Sequence, residues 1–111
     1  KKTESEIYHG KADKVLESFN AQFWNVKQNG LFDFIDGSYK NDDIRPNQIY
    51  ALSLPFPLLS GERAKKVFDL IVQQLLTPRG LRTLSPGHKD YRPGYGGDIW
   101  MRDGAYHQGT V

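Results

Sequence analysis

Two segments of the chain gather side chains that can make several polar contacts with one ligand. Residues 42–48 read DDIRPNQ, and residues 98–108 read DIWMRDGAYHQ. Carboxylates, amides and an arginine occur in both segments, and the second adds two aromatic rings and an imidazole. Aromatic faces that stack on sugar rings, together with polar groups that pair with neighbouring hydroxyls, are typical of carbohydrate binding. Carbohydrate is therefore the ligand class that this composition favours.

Ordinary structural roles also account for these residues. Asp42 and Asp43 precede a predicted helix, so they can cap its free N–H groups, with Arg45 paired to one of them. The second segment can be a loop that arginine–aspartate pairs and a packed Trp100 hold in place. Composition alone leaves both interpretations open.

Other ligand classes find less support in the 111 residues. His9, His88 and His107 have no metal-ligand spacing, and the chain has no cysteine. The glycines of residues 94–97 do not complete a dinucleotide-binding G-x-G-x-x-G motif, because position 99 is Ile99. A net charge of +2 is too small to indicate a polyanion partner. We therefore predict no metal, no cofactor and no nucleic-acid partner, and no apolar run approaches the roughly 20 residues of a membrane span.

Three helices are predicted to position the two segments. Apolar residues recur every three or four positions in residues 7–23 and 62–76, which predicts two amphipathic helices. Residues 46–54 are short and apolar nearly all round after Pro46, which is typical of a buried helix. Two amphipathic helices and one buried helix predict an outer and an inner layer of helices.

The remaining segments are predicted to be long loops. Residues 31–36 form a possible short strand, one half of a β-hairpin. Residues 77–111 hold 7 of the 11 glycines and 3 of the 6 prolines, which predicts a long irregular loop. Its four aromatic residues argue against disorder, and a loop of this length is usually functional.

Three longer strings carry a resemblance to a known family. They are residues 43–55 (DIRPNQIYALSLP), 76–86 (LTPRGLRTLSP) and 102–111 (RDGAYHQGTV). In their order and separation they resemble the C-terminal glucosidase domain of glycogen debranching enzymes, which is the amylo-alpha-1,6-glucosidase family in its bacterial and archaeal form. The resemblance covers nearly the whole chain from Phe19 onward.

The resemblance implies an all-α fold similar to the (α/α)6 barrel of six-hairpin glycosidases, with the site at one mouth of a ring of outer and inner helices. Residues 1–111 would be one part of this domain, within a longer chain. Helices 7–23 and 62–76 would be outer helices, helix 46–54 would be an inner helix, and a second inner helix would begin near Tyr106.

The same resemblance implies that both long loops meet at this mouth. The expected substrate-binding residues are Arg45, Asn47, Gln48, Trp100, Arg102, Tyr106, His107 and Gln108. The implied activity is hydrolysis of the alpha-1,6-linked glucose at a glycogen branch point. No metal or cofactor is expected, because a pair of carboxyl groups suffices for glycoside hydrolysis.

Only one of these two carboxyl groups has a candidate within the chain. One group donates a proton to the leaving oxygen, and in an inverting enzyme the other activates a water molecule. The general acid of the family lies upstream of the matched segments. A glutamate that follows the Tyr-His-Gln-Gly string in eukaryotic relatives has no counterpart here, where that position is Val111. The base therefore lies beyond Val111 or is Asp103, the catalytic candidate within the chain, for which an ion pair with an arginine is the structural alternative.

These expectations extend to behaviour in solution. We expect a cytoplasmic protein that binds glycogen or branched alpha-glucan, with an isolated chain that is inactive. We also expect the isolated chain to self-associate or to need the rest of its parent chain, because helices cut from a ring expose apolar faces. The alternatives are a non-catalytic glycan-binding module and a helical interaction domain. Alanine at Trp100 or His107 would abolish glycan binding in the enzyme and the binding module and change nothing in the interaction domain.

Overall fold

The computed structural model covers residues 1–111 and contains four α-helices, one 3₁₀ turn and three antiparallel hairpins. The α-helices are α1 Glu4–Gln22, α2 Tyr50–Ser53, α3 Gly61–Gln74 and α4 Ile99–His107. Strands β1 to β6 are Trp24–Asn25, Gly30–Leu31, Phe34–Asp36, Tyr39–Asn41, Leu76–Thr77 and Gly80–Leu81. The 3₁₀ turn, Pro46–Ile49, leads directly into α2.

The chain is a mixed α/β structure with 45% of its residues in helices, so the prediction of an all-α barrel fragment is wrong. Its three sheets are the hairpins β1–β2, β3–β4 and β5–β6. Each hairpin reverses at or next to a residue with positive φ, namely Asn29 (59°), Gly37 (60°) or Gly80 (136°). Such residues permit a tight reversal, which lets the flanking backbone pair. The paired strands are only two or three residues long, too short for the alternation that identifies a strand in a sequence.

Helix α1 begins earlier than its apolar stripe indicated, because Thr3 and Glu6 form a capping box. Thr3 Oγ1 accepts a hydrogen bond from the Glu6 N–H (3.2 Å), and Glu6 Oε2 accepts one from the Thr3 N–H (3.1 Å). The prediction of a helix over residues 7–23 is confirmed. No residue of α1 is buried, and neither α1 nor any other helix is long and apolar enough to cross a bilayer.

The hydrophobic core lies between α3, the β1–β2 hairpin and the segment around α2. The helix predicted over residues 62–76 is confirmed, and Val67, Ile71 and Leu75 recur along its buried side at intervals of four. The other buried apolar residues of this cluster are Leu31, Ala51 and Leu59.

The helix predicted over residues 46–54 is divided into the 3₁₀ turn and the single turn α2. Only Gln48 and Ala51 are buried in it, so the prediction of a buried inner helix is wrong. The residue before a proline is disfavoured in the α region, and Leu54, which precedes Pro55, is extended with ψ 156°.

Residues 77–111 contain regular structure that their glycine and proline content did not predict. The side chain of Asp98 caps α4 by accepting a hydrogen bond from the Met101 N–H (2.8 Å). The expected helix beginning near Tyr106 is also wrong, because Tyr106 lies in the last turn of α4, which ends at His107. A local capping residue, Asp98, therefore begins a helix in a segment where the composition predicted a loop.

Candidate functional site

The guanidinium of Arg45 connects the two segments that are rich in polar side chains. Its Nη1 donates hydrogen bonds to the main-chain carbonyls of His107 (2.6 Å) and Thr83 (3.2 Å). Its Nη2 donates to Gln108 Oε1 at 3.1 Å. The 3₁₀ turn that follows Arg45 is thereby tied to the C-terminal end of α4.

Two carboxylates flank the same guanidinium. Arg45 Nη2 lies 3.4 Å from Asp43 Oδ2, and Arg45 Nε lies 3.7 Å from Asp33 Oδ2. The side chains of all three residues are at most 23% exposed, so water screens these ion pairs less than it screens surface pairs. The pairing of Arg45 with an aspartate is confirmed. The capping interpretation of Asp42 and Asp43 is not supported, because no side chain caps the 3₁₀ turn.

His88 contacts the other oxygen of Asp43. Its Nε2 lies 2.9 Å from Asp43 Oδ1, and its Nδ1 accepts a hydrogen bond from the Asp90 N–H (3.0 Å). A ring nitrogen that accepts a hydrogen bond from a backbone N–H carries no proton. In the neutral ring the proton is therefore on Nε2, which donates a hydrogen bond to Asp43 Oδ1. We call Asp33, Asp43, Arg45 and His88 the Arg45 cluster. Sequence reasoning missed Asp33 and His88, because no local spacing marks a contact with residues so distant along the chain.

Asn47 and Gln48 are engaged within the protein. Gln48 is buried, and its side chain accepts a hydrogen bond from the Leu31 N–H (3.1 Å) and donates one to the Arg45 carbonyl (3.2 Å). Asn47 is exposed, and its Nδ2 donates to Asp33 Oδ1 at 3.1 Å. Neither side chain forms a hydrogen bond with α4, and substrate binding by Asn47 and Gln48 stays a prediction.

The remaining predicted residues lie on the exposed surface of α4. We call Trp100, Arg102, Asp103, Tyr106 and His107 the α4 face. Asp103 lies three or four residues from Trp100, Tyr106 and His107, and Tyr106 lies four from Arg102, so these pairs are neighbours on the helix, whereas Trp100 and Arg102, two residues apart, are not. Trp100 is 80% exposed and Tyr106 is 61% exposed, while Ala105 faces inward and is buried. The α4 face therefore presents aromatic and polar groups to solvent side by side.

An open groove of about 370 Å³ runs along part of the α4 face. Its lining residues are Tyr95, Ile99, Arg102, Asp103 and Tyr106. Asp103 is the single carboxylate in this groove, and its ionic neighbour is His107, with Nε2 at 3.5 Å from Oδ1. Asp103 forms no ion pair with an arginine, so its expected structural alternative is wrong. No set of three or more histidine, aspartate or glutamate side chains is arranged to hold a metal ion.

Gly109 allows the chain before α4 to pack closely against the end of the helix. A Cβ atom on Gly109 would overlap the ring of Tyr91 and lie 3.0 Å from the Arg92 carbonyl oxygen. The two backbone segments are also hydrogen-bonded here, since the Arg92 N–H donates to the Gln108 carbonyl (2.6 Å). A Cβ atom on Gly104 would meet only the flexible end of the Arg92 side chain, so glycine is a packing requirement at Gly109 alone.

Replacing Gly109 with alanine is expected to destabilise the folded chain by about 2–4 kcal/mol. Gly109 has φ +142°, which a residue with a Cβ rarely adopts, and the added methyl group would displace Tyr91. Urea unfolding followed by circular dichroism measures the change. Gly94→Ala is the matched control, because nothing lies within 4 Å of its Cβ position. Equal stability of the two variants would contradict this packing account.

Comparison with known proteins gives one match. The family model described as amylo-alpha-1,6-glucosidase matches the chain over residues 1–111. No curated protein and no solved structure matches the chain.

Proposed function

The chain belongs to the amylo-alpha-1,6-glucosidase family, and we propose on this basis that its α4 face forms part of the substrate pocket of an enzyme that hydrolyses alpha-1,6-linked glucose at glycogen branch points. The family is that of a glycogen-debranching type of glycosidase domain. The observation that carries the proposal is the exposed set of aromatic and polar side chains on α4. A role on glycogen also leads us to propose a cytoplasmic location, where cells store this polymer.

The chemistry of the α4 face suits a glucan chain. Tyr95 and Tyr106 line the groove, and the exposed Trp100 lies one helical turn before the groove residue Asp103. A glucosyl ring has apolar C–H faces that stack on aromatic rings and hydroxyls that project from its rim. Arg102 would donate to such hydroxyls and Asp103 would accept from them, which makes neighbouring hydroxyl pairs the natural ligands.

We assign Asp103 the role of general base in this reaction. An ionised carboxylate takes a proton from water, the water oxygen bonds to the anomeric carbon, and the glycosidic C–O bond breaks. A second carboxyl group must protonate the departing oxygen. Because the groove contains only Asp103, that acid comes from residues outside the groove. Asp33 and Asp43 are poor candidates, since Arg45 engages both of them.

We expect the isolated 111-residue chain to bind a branched limit dextrin and to release no glucose from it. Removal of one essential acid or base typically lowers a rate by about 10²–10⁴-fold, which brings hydrolysis below detection. Isothermal titration measures binding, and chromatography of the free sugar measures glucose release. Glucose release by the pure chain would contradict the incomplete-site proposal, and an absence of binding would contradict the pocket proposal.

The single carboxylate in the groove also favours a second candidate, a glycan-binding module without catalysis. The Asp103→Asn variant separates the two functions when it is made in a protein that has the complete glucosidase activity. We expect kcat to fall by about 10²–10⁴-fold while the affinity for glucan changes little, because asparagine keeps the size and one acceptor oxygen of aspartate. Unchanged kcat would exclude Asp103 as the base.

We further propose that the isolated chain self-associates through α1. This helix buries none of its residues, and Val15 and Leu16 in its apolar stripe are 59% and 42% exposed. Covering such an apolar stripe is favourable by about 25 cal/mol per Å², and a second copy supplies a matching stripe.

The Val15→Lys variant is expected to shift the chain toward the 12.7 kDa monomer in sedimentation velocity experiments. A charge in the middle of the stripe must be desolvated when two copies meet. The control is Asp13→Asn, which raises the net charge equally without placing a charge in the stripe. A monomer at every concentration for the unmodified chain would overturn the proposal and with it the helical interaction domain as a self-associating module.

A further inference from the structure

We propose that Arg45 is a positioning residue that holds the C-terminal end of α4, and with it the α4 face, instead of binding the glucan itself. The effect on glucan affinity rests on the proposed function, but the positioning role is a property of the folded chain and can be tested without a ligand. This differs from the expectation from sequence, in which Arg45 contacts substrate.

Four of the five donors of Arg45 are already in use. A guanidinium carries five N–H groups, and four hydrogen bonds run from Arg45 to Thr83, His107, Asp43 and Gln108. The remaining group, on Nε, forms an ion pair with the Asp33 carboxylate at 3.7 Å. Both Nη groups, the part of the guanidinium that would pair with neighbouring sugar hydroxyls, therefore have no donor left unless they give up a contact within the protein.

Apolar packing gives α4 little support. Ala105 is its one buried residue, whereas α3 buries Val67 and Ile71 in the main core. A buried alanine side chain contributes far less apolar area than a valine or isoleucine. Polar tethers must therefore account for a large share of the free energy that keeps α4 in place.

Those tethers converge on the residues at the end of α4. Arg45 bonds the His107 carbonyl and the Gln108 side chain, and the Gly109 N–H donates to Thr83 Oγ1 at 2.9 Å. Thr83 also accepts from Arg45 through its carbonyl, so both tethers share one anchoring residue. Loss of Arg45 would leave the His107 carbonyl and the Gln108 side chain without their hydrogen-bond donor. It would also leave the carboxylates of Asp33 and Asp43 without their common cation.

The positioning role of Arg45 depends on the geometry of its guanidinium as well as on its positive charge. The planar guanidinium directs its donors in fixed directions, and here they reach four separate stretches of chain. A lysine ammonium at the same place would keep the positive charge near Asp33 and Asp43 but could not bridge all these acceptors. Arg45→Lys is therefore expected to behave like Arg45→Ala at α4.

Amide hydrogen exchange of the full chain tests the inference. In Arg45→Ala we expect the amides of Gly109 and Thr110 to exchange about 10-fold faster, which corresponds to about 1.4 kcal/mol. The amide of Leu75, at the end of α3, should keep its exchange rate and serves as the internal reference. Unchanged exchange at Gly109 and Thr110 would overturn the positioning role.

Arg63→Ala is the matched control. Arg63 also uses its guanidinium structurally, since it donates to the Asn20 carbonyl (3.0 Å) and stacks over Trp24 at 4.7 Å. Its loss should leave exchange at the end of α4 unchanged. If Arg45→Ala unfolds the whole chain, Gln108→Ala decides the matter, because it removes a single Arg45 contact. Faster exchange at Gly109 in that variant supports the inference, and an unchanged rate overturns it.

Glucan titration of the same variants separates this inference from the proposed function. If Arg45 acts through the α4 face, the combined Arg45→Ala and Trp100→Ala variant should bind no more weakly than the weaker single variant. Losses that multiply would assign Arg45 to the ligand and overturn the inference. If the unmodified chain binds no glucan, the proposed function fails, and the exchange result alone decides the role of Arg45.

Discussion

Trp100→Ala is expected to weaken the binding of branched alpha-glucan about 50- to 100-fold. The indole ring is 80% exposed on the α4 face, so its flat surface is free to stack on a glucosyl ring. Covering roughly 100 Å² of ring, about half of what a buried tryptophan contributes, is worth about 2.5 kcal/mol. Isothermal titration with a limit dextrin measures the loss. His107→Ala should show a smaller loss in the same direction, because His107 contacts both Asp103 and the Tyr106 ring.

Phe56→Ala is the matched control for this loss. Phe56 is 90% exposed and lies in the loop that follows α2, away from α4 in the sequence. If its removal weakens glucan binding as much as removal of Trp100, general apolar adhesion and not the α4 face accounts for binding. If neither change matters while the chain self-associates, the helical interaction domain is the better description.

The residue types of the α4 face were predicted from the sequence, but their placement on a helix was not. Its residue types were identified because tryptophan, tyrosine, histidine and carboxylate side chains cluster in residues 98–108. Their presentation on a helix was not predicted, since glycine and proline content indicated a loop. Asp98, an N-cap residue type directly before residues 99–107, was visible in the sequence and carried the correct signal.

Long-range contacts at the other segment could not be predicted from the sequence. Gln48 has the side chain of a sugar ligand, yet it is buried and satisfies the Leu31 N–H. The partners of Arg45 lie at residues 33, 83, 107 and 108, and no periodic pattern links such positions. The helices α1 and α3 were predictable because a stripe at helical spacing is a local property. Of the hairpins, only the one that includes residues 34–36 was indicated, because strands of two or three residues leave little period to detect.

Leu75→Ala is expected to lower the free energy of unfolding by about 3 kcal/mol, within the range of about 2–5 kcal/mol for leucine truncations in cores. Leu75 is fully buried in a chain in which 13 of 111 residues are buried, so few other contacts can compensate. With a urea dependence of about 1.5 kcal/mol per molar, the unfolding midpoint should fall by about 2 M. Circular dichroism in urea, at one protein concentration for all variants, measures this shift.

Leu76→Ala is the control, because the neighbouring leucine is 51% exposed and should cost less than about 1 kcal/mol. The pair also tests how the core supports the site. The Leu75 carbonyl accepts from the Arg82 N–H (2.9 Å), and the next residue, Thr83, anchors both Arg45 and Gly109. Leu75→Ala should therefore speed amide exchange at Gly109, and Leu76→Ala should not. Equal effects of the two variants would mean that the end of α4 is held independently of the α3 core.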